Sequence, residues 1–270
     1  MAATALTSET FKLPDDIHFL NRISYGPTTT AVAEVGKLGW DAVLRDQLHP
    51  ENIDTSGIDS ILAKEFPTLG LSAKDVVDAD DTELSARLIP DLIVSTVLRQ
   101  LYERMVEFWS DHFNINLLDD RINYLKTTDD REAIRPNAMG TFRDLLHANA
   151  RSPAMLLYLD NYSNTKEGPN ENYARELLEL HTLGVDGGYT ETDVVEVARA
   201  FTGWTISPEN FGFAFRMKNH DRRKKSVLGQ RILRTATGGI TDGEQVLDLL
   251  VAGQMASISS PRWARTTTLI

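Results

Sequence analysis

The sequence predicts a mainly α-helical fold, a multi-helix orthogonal or bundle-like domain carrying a small β-hairpin near residues 211–233. Three observations lead there. Apolar residues recur at three- and four-residue steps through most of the chain. Helix caps and Gly or Pro breakers separate these runs at short intervals. Two-residue alternation is confined to Phe211, Phe213 and Phe215, with a strand-like stretch following over 226–233.

The first helix is expected over 14–24, where Pro14, Asp15 and Asp16 suit a positive helix start. Gly26-Pro27 ends it, and short helices follow over 28–37 and 39–48. Residues 50–79, punctuated by Pro50, Gly57, Pro67 and Gly70, read as loops with helical turns. From Asp81 to about Asn114 the apolar stripe is the longest in the chain, with a bend or break expected at Pro90. Helices are then expected over 121–135 and 138–150, followed by one capped by Ser152 with Pro153 in its first turn. A polar loop, 160–172, leads into the helix of 170–184, for which Asn170 is the expected cap and Gly184 the stop. Thr190 and Asp193 have capping-box spacing ahead of a helix that puts Val194, Val197, Ala198 and Phe201 on one face. A last helix starts near Asp242. With no repeat or linker to divide it, residues 1–250 read as one helical domain. The stretch 251–270 loses periodicity and contains no acidic residue, so it is expected to be a disordered or artefactual tail, leaving the domain truncated.

Composition removes whole classes of function. A formal charge of −11 repels phosphate backbones, and the run Arg222–Lys225 is a thin exception, so no nucleic-acid partner is expected. The absence of cysteine excludes disulfides, thiolate metal sites and cysteine nucleophiles. No apolar run is long enough to span a bilayer, and the N-terminus has no signal-peptide pattern. HExxH, GxSxG and Walker motifs are all missing.

What remains is the strip 170–184. Helical projection places Asn172, Arg175, Glu176 and Glu179 in one sector and Tyr173, Leu177, Leu178, Leu180 and His181 on an apolar arc. Carboxylates three residues apart can share a divalent metal or divide into acid and base. The competing expectation is an ion-pair lattice in which Arg175 neutralises Glu179 and Glu176 finds another arginine. His112 and His181, on apolar arcs, are core residues or metal ligands, and the dipeptide His220-Asp221 is a ligand pair or a base with its orienter.

Five blocks, FLNRISYGPT (19–28), VEFWSDHFNI (106–115), FRDLLHANARSPAMLLYLDN (142–161), the run 170–204 and HDRRKKSVLG (220–229), occur in an order that resembles the bacterial family called domain of unknown function 1800. The resemblance covers about residues 15–250 and brings no established activity with it. It implies that members are often exported, and that a neighbouring sulfatase-like family could supply a partner. It also gathers Asn170, Glu171, Asn172, Arg175, Glu176, Glu179, His112, His181, Trp204, His220 and Asp221 into shared blocks, as if they met in one pocket. The expected assignment is then catalytic roles for Glu176, Glu179, Arg175, His220 and Asp221, binding roles for Asn170, Glu171, Asn172 and Trp204, and metal ligation by His112 and His181. The function expected is a metal-assisted or acid/base hydrolase acting on an exported or cell-envelope substrate. The alternative is a non-enzymatic binding or assembly module whose polar cluster is structural.

Overall fold

The computed structural model describes residues 15–24, 26, 28–49, 60, 63–72, 74–75, 87–88, 101–116, 122–233 and 239–258. The described residues begin with three short helices, α1 (Asp15–Ile23), α2 (Thr29–Leu38) and α3 (Trp40–Gln47). Thr28 caps α2 by accepting from Ala31 N, and Gly39 turns the chain with φ +81°, a left-handed value that a side chain would strain. Leu20, Ile23, Val35 and Val43 form a small separate core between them. Helix α4 (Leu101–His112) is the described part of the long apolar stripe; the expected break at Pro90 lies outside the described residues. Met105 of α4 packs against both the small core and the main one.

Helix α5 (Asn123–Asp129) widens into a π-helical turn at Asp130–Ile134 and tightens again at Arg135–Asn137. A buried cluster sits there. Arg135 bonds both oxygens of Glu103 at 2.6 and 2.8 Å and also pairs with Asp130. Burial pushes the Asp130 carboxyl up despite the guanidinium beside it. Helices α6 (Phe142–Arg151) and α7 (Pro153–Tyr158) then meet at Ser152. Ser152 stands at the cap position, but its hydroxyl does not cap α7. It donates instead to Asp129 Oδ1 at 2.7 Å, because that buried carboxylate is the stronger acceptor.

Helix α8 (Asn172–Glu176) continues as a π-helical segment, Leu177–Thr182, and ends at Gly184 with φ +85°. Leu183 N and Gly184 N both reach back to the Leu178 carbonyl, at 2.9 and 3.1 Å. Helix α9 (Glu191–Ala200) begins in the expected Thr190–Asp193 capping box. Two antiparallel hairpins follow. The first pairs β1 (Trp204–Ile206) with β2 (Phe213–Phe215), and the second pairs β3 (Lys225–Val227) with β4 (Gln230–Ile232). Strand β1 was not expected, since Trp204 and Thr205 are both buried and show no alternation. Helix α10 (Ile240–Ile258) closes the described chain and runs eight residues past the expected boundary at 250. The main core gathers Leu145, Leu146, Leu156, Leu177, Leu178, Val194, Val197, Phe201, Val246 and Leu250 from five helices. No helix among the described residues is long and apolar enough to cross a membrane.

Candidate functional site

The π-helical segment changes the phase of the strip on which the expected site was drawn. Each π turn carries an extra residue, with bonds from i to i+5. Leu183 N accordingly bonds the Leu178 carbonyl, five residues back, at 2.9 Å. The consequence is visible at Leu180, placed on the apolar arc by uniform projection but 61% exposed. His181 turns inward. It packs edge-on against Phe113 at 5.1 Å between ring centroids, and its backbone carbonyl accepts from His112 Nε2 at 3.0 Å. That bond fixes the His112 tautomer as donor and satisfies a carbonyl of the last helical turn. Burial, with His112 beside it, drives the His181 pKa down to about 3, and burial also lowers His112 against the opposing effect of its hydrogen bond. The buried His181 and the half-buried His112, both with lowered pKa, join α4 to the end of α8.

On the outward side, Arg175 is the hub. Its closest partner is Glu191 at the start of α9, at 2.7 and 3.0 Å, ahead of Glu171 at 3.5 Å and Glu179 at 3.8 Å. The lattice therefore ties α8 to α9, where the spacing alone pointed to a pair within one helix. Among the described residues Glu176 forms no ion pair with an arginine. Its Oε2 is buried without a hydrogen-bond partner, and burial, reinforced by Glu179 and opposed by Arg175, raises its carboxyl above the usual range. Asn170 accepts from Asn172 N at 2.9 Å and donates its own backbone N–H to Asn164 Oδ1 at 3.0 Å. These bonds make the turn that launches α8.

His220 and Asp221 belong to other networks. His220 is 1% exposed, with Nδ1 2.8 Å from the Thr202 carbonyl and Nε2 3.3 Å from Asp242 Oδ2. A Cβ at Gly239 would fall 1.9 Å from His220 Cδ2, so a backbone lies directly on the imidazole. Asp242 also takes the buried Lys225 ammonium at 2.7 Å. Asp221 is gripped by Arg199 at 2.8 Å and Arg223 at 2.6 Å. Burial alone would push the Asp221 carboxyl up, but the hydrogen bonds from Arg223 and Arg199 outweigh it and hold the group well below the ordinary carboxylate range. Two of the four cations in the basic run 222–225 are thus committed internally. Arg222 stays exposed at an open depression of about 620 Å³ that Lys166, His220, Asp221 and Arg223 also line.

Hence the expected site residues are distributed among several arrangements. Arg175 joins Glu171, Glu179 and Glu191; His112 joins His181; His220 joins Thr202 and Asp242; Asp221 joins Arg199 and Arg223. Among the described residues, no group of three or more His, Cys, Asp or Glu is arranged to hold a metal ion.

Sequence reasoning missed a cavity of about 380 Å³. It lies where the end of α5, the α6–α7 junction and the β1–β2 loop meet, and Thr128, Asp129, Glu132, Arg151, Ser152 and the segment Asn210–Phe213 line it. Arg151 is held by the Glu244 carboxylate at 2.6 Å and the His147 carbonyl at 3.1 Å. Its guanidinium lies 5.4 Å from the Trp204 ring centroid and 5.9 Å from that of Phe213. Trp204 is fully buried, so it supports Arg151 from behind rather than meeting a ligand itself. Asp129, buried, accepts from Ser152 and pairs with Lys126 at 2.8 Å. Phe211 at the rim has φ +55°, a left-handed backbone rarely adopted by a bulky residue. The only trace of this in the sequence was the phenylalanine-rich segment, which alternation explains as a strand.

The described residues thus form a helical scaffold with two small hairpins, in which charged groups pair between elements. The chain belongs to the family described as protein of unknown function (DUF1800), whose profile matches residues 18–257. Comparison with curated proteins and with solved structures gave no match.

Proposed function

We propose that the chain is a non-enzymatic binding module, in which the charged residues of the shared blocks hold the helices and hairpins together while the Arg151 cavity takes the ligand. The observation that carries this reading is the engaged state of the expected catalytic groups. Asp221 is buried between two guanidinium groups, His220 is 1% exposed with the Gly239 backbone against its ring, and Arg175 is spread over three carboxylates. A general base or nucleophile needs an approachable, unneutralised group. The resemblance-based expectations of export and of a sulfatase-like partner fit a module of this kind, which would hold a substrate beside an enzyme. No nucleic-acid role is assigned, since Arg223 and Lys225 are already bound to Asp221 and Asp242.

An acid/base hydrolase reading keeps one specific support. Glu176 has a buried oxygen with no hydrogen-bond partner among the described residues, and burial raises its carboxyl above the ordinary range, the direction a general acid requires, with Glu179 as its neighbour. Chromogenic ester, phosphate and glycoside substrates separate the two readings, with wild type and Glu176→Gln compared. The binding reading expects no turnover above buffer from either protein. It also expects a Glu176→Gln melting temperature equal to or above that of wild type, because the substitution removes a carboxyl that burial disfavours as an ion. Turnover by wild type that disappears in a stably folded Glu176→Gln protein would establish the hydrolase instead.

A further inference from the structure

We infer that the Arg151 cavity is a site for a neutral polyhydroxylated ligand, a saccharide unit, a ligand class that rests on the binding reading above. Its volume, about 380 Å³, falls within the range of roughly 300–1,000 Å³ typical of small-molecule sites. Among the described residues three ionic side chains line it, Asp129, Glu132 and Arg151, and each pairs with a partner outside the described lining. Asp129 pairs with Lys126 at 2.8 Å, Glu132 with Arg131 at 3.0 Å, and Arg151 with Glu244 at 2.6 Å. Described lining charges paired in this way exert little net field on an ion, yet they keep hydrogen-bonding capacity. Arg151 has five N–H donors, of which the His147 carbonyl and the Glu244 carboxylate take one each. Glu132 is exposed enough to accept from a hydroxyl, and Asn210 adds an amide at the rim.

Two further features point to a ligand rather than to an accidental gap. Thr128 is 5% exposed and lines the cavity, and its buried hydroxyl has no hydrogen-bond partner among the described residues. Buried hydroxyls are seldom left unpaired, because the desolvation is then uncompensated. The opposite wall supplies Phe211 and Phe213, whose ring surface suits the C–H face of a pyranose, and Phe211 is held at its left-handed φ of +55°. Alternating hydroxyl-binding groups and flat apolar surface match the two-sided chemistry of a sugar. They match a phosphate or a free amine poorly, since each of those would need one uncompensated charge.

Titration calorimetry on the full chain tests the inference. The neutral probes are cellotriose, maltotriose and triacetylchitotriose, with trigalacturonate and chitosan trimer as the anionic and cationic controls. At least one neutral trisaccharide should bind more tightly than both charged trimers. Thr128→Val, which keeps the side-chain shape and removes the unpaired hydroxyl, should weaken that binding roughly tenfold while leaving the melting temperature unchanged or raised. Asn210→Ala, which removes the exposed rim amide and its bond from Gly212 N at 3.0 Å, should weaken it as well. Absence of binding by all three neutral probes, tighter binding of a charged trimer, or affinity unchanged in both variants would overturn the inference. Hydrolysis of a bound neutral trisaccharide, read by release of reducing ends, would overturn the binding-only reading while upholding the ligand class.

Discussion

At the scale of single residues, the imidazoles show how far a sequence can be read. That His112 and His181 sit on apolar faces follows from spacing, but their mutual contact depends on α4 and α8 crossing, which no local pattern encodes. The same holds for Glu176 and Arg175. Their shared face was legible, whereas the preference of Arg175 for Glu191 was not, because the partner lies beyond a turn. The buried His181 makes a definite pH prediction. Its folded pKa, about 3, lies below the unfolded value of roughly 6.5, so the unfolded chain binds the proton first and stability falls as pH drops from about 6.5 toward 3. Between pH 6.5 and 5 the loss from this group is about 2 kcal/mol at 1.36 kcal/mol per pH unit. Urea unfolding at pH 7.5 and pH 5 should show that decline in wild type and a smaller one in His181→Gln. An equal decline in both proteins would assign the pH sensitivity elsewhere.

Elements were predicted best where capping chemistry is local and worst where a tertiary contact sets the backbone. The Thr190–Asp193 box was legible, since its side chains and backbone satisfy each other within three residues, and so was the Gly184 stop, which needs only a residue at ease at positive φ. Neither π-helical turn was, because uniform projection assumes a constant period. The β3–β4 hairpin turns on Leu228 and Gly229, with φ of +51° and +73°. Leucine is a poor choice for such a turn, and what holds it is the bond from Leu228 N to Asp193 Oδ1 at 2.7 Å. Asp193 therefore serves α9 through one oxygen and the hairpin through the other. Thr190→Ala should cost about 1 kcal/mol as the loss of a cap. Asp193→Ala should cost about 2 kcal/mol, because it also removes the hairpin's bond. Denaturant midpoints for the two variants check the order, and equal losses would mean that the turn holds without Asp193.

For the whole molecule, the mainly helical class followed from periodicity and breakers alone, and family membership agrees with the five shared blocks. The gathering of the polar residues did not follow, because a shared block says only that positions recur together, not that their side chains meet. Several of them act as ties between elements: Arg175 from α8 to α9, His112 from α4 to the end of α8, and Asp221 between Arg199 of α9 and Arg223 beside β3. The cavity, by contrast, is assembled from α5, α6, α7 and a hairpin loop whose residues carry no common motif. The claim that the shared charged residues hold the fold is tested most directly by urea unfolding of Asp221→Asn against wild type at pH 7. A carboxylate that ties two arginines together while 2% exposed should be missed by about 3 kcal/mol, the scale of breaking a buried pair, and an unchanged midpoint would contradict the account.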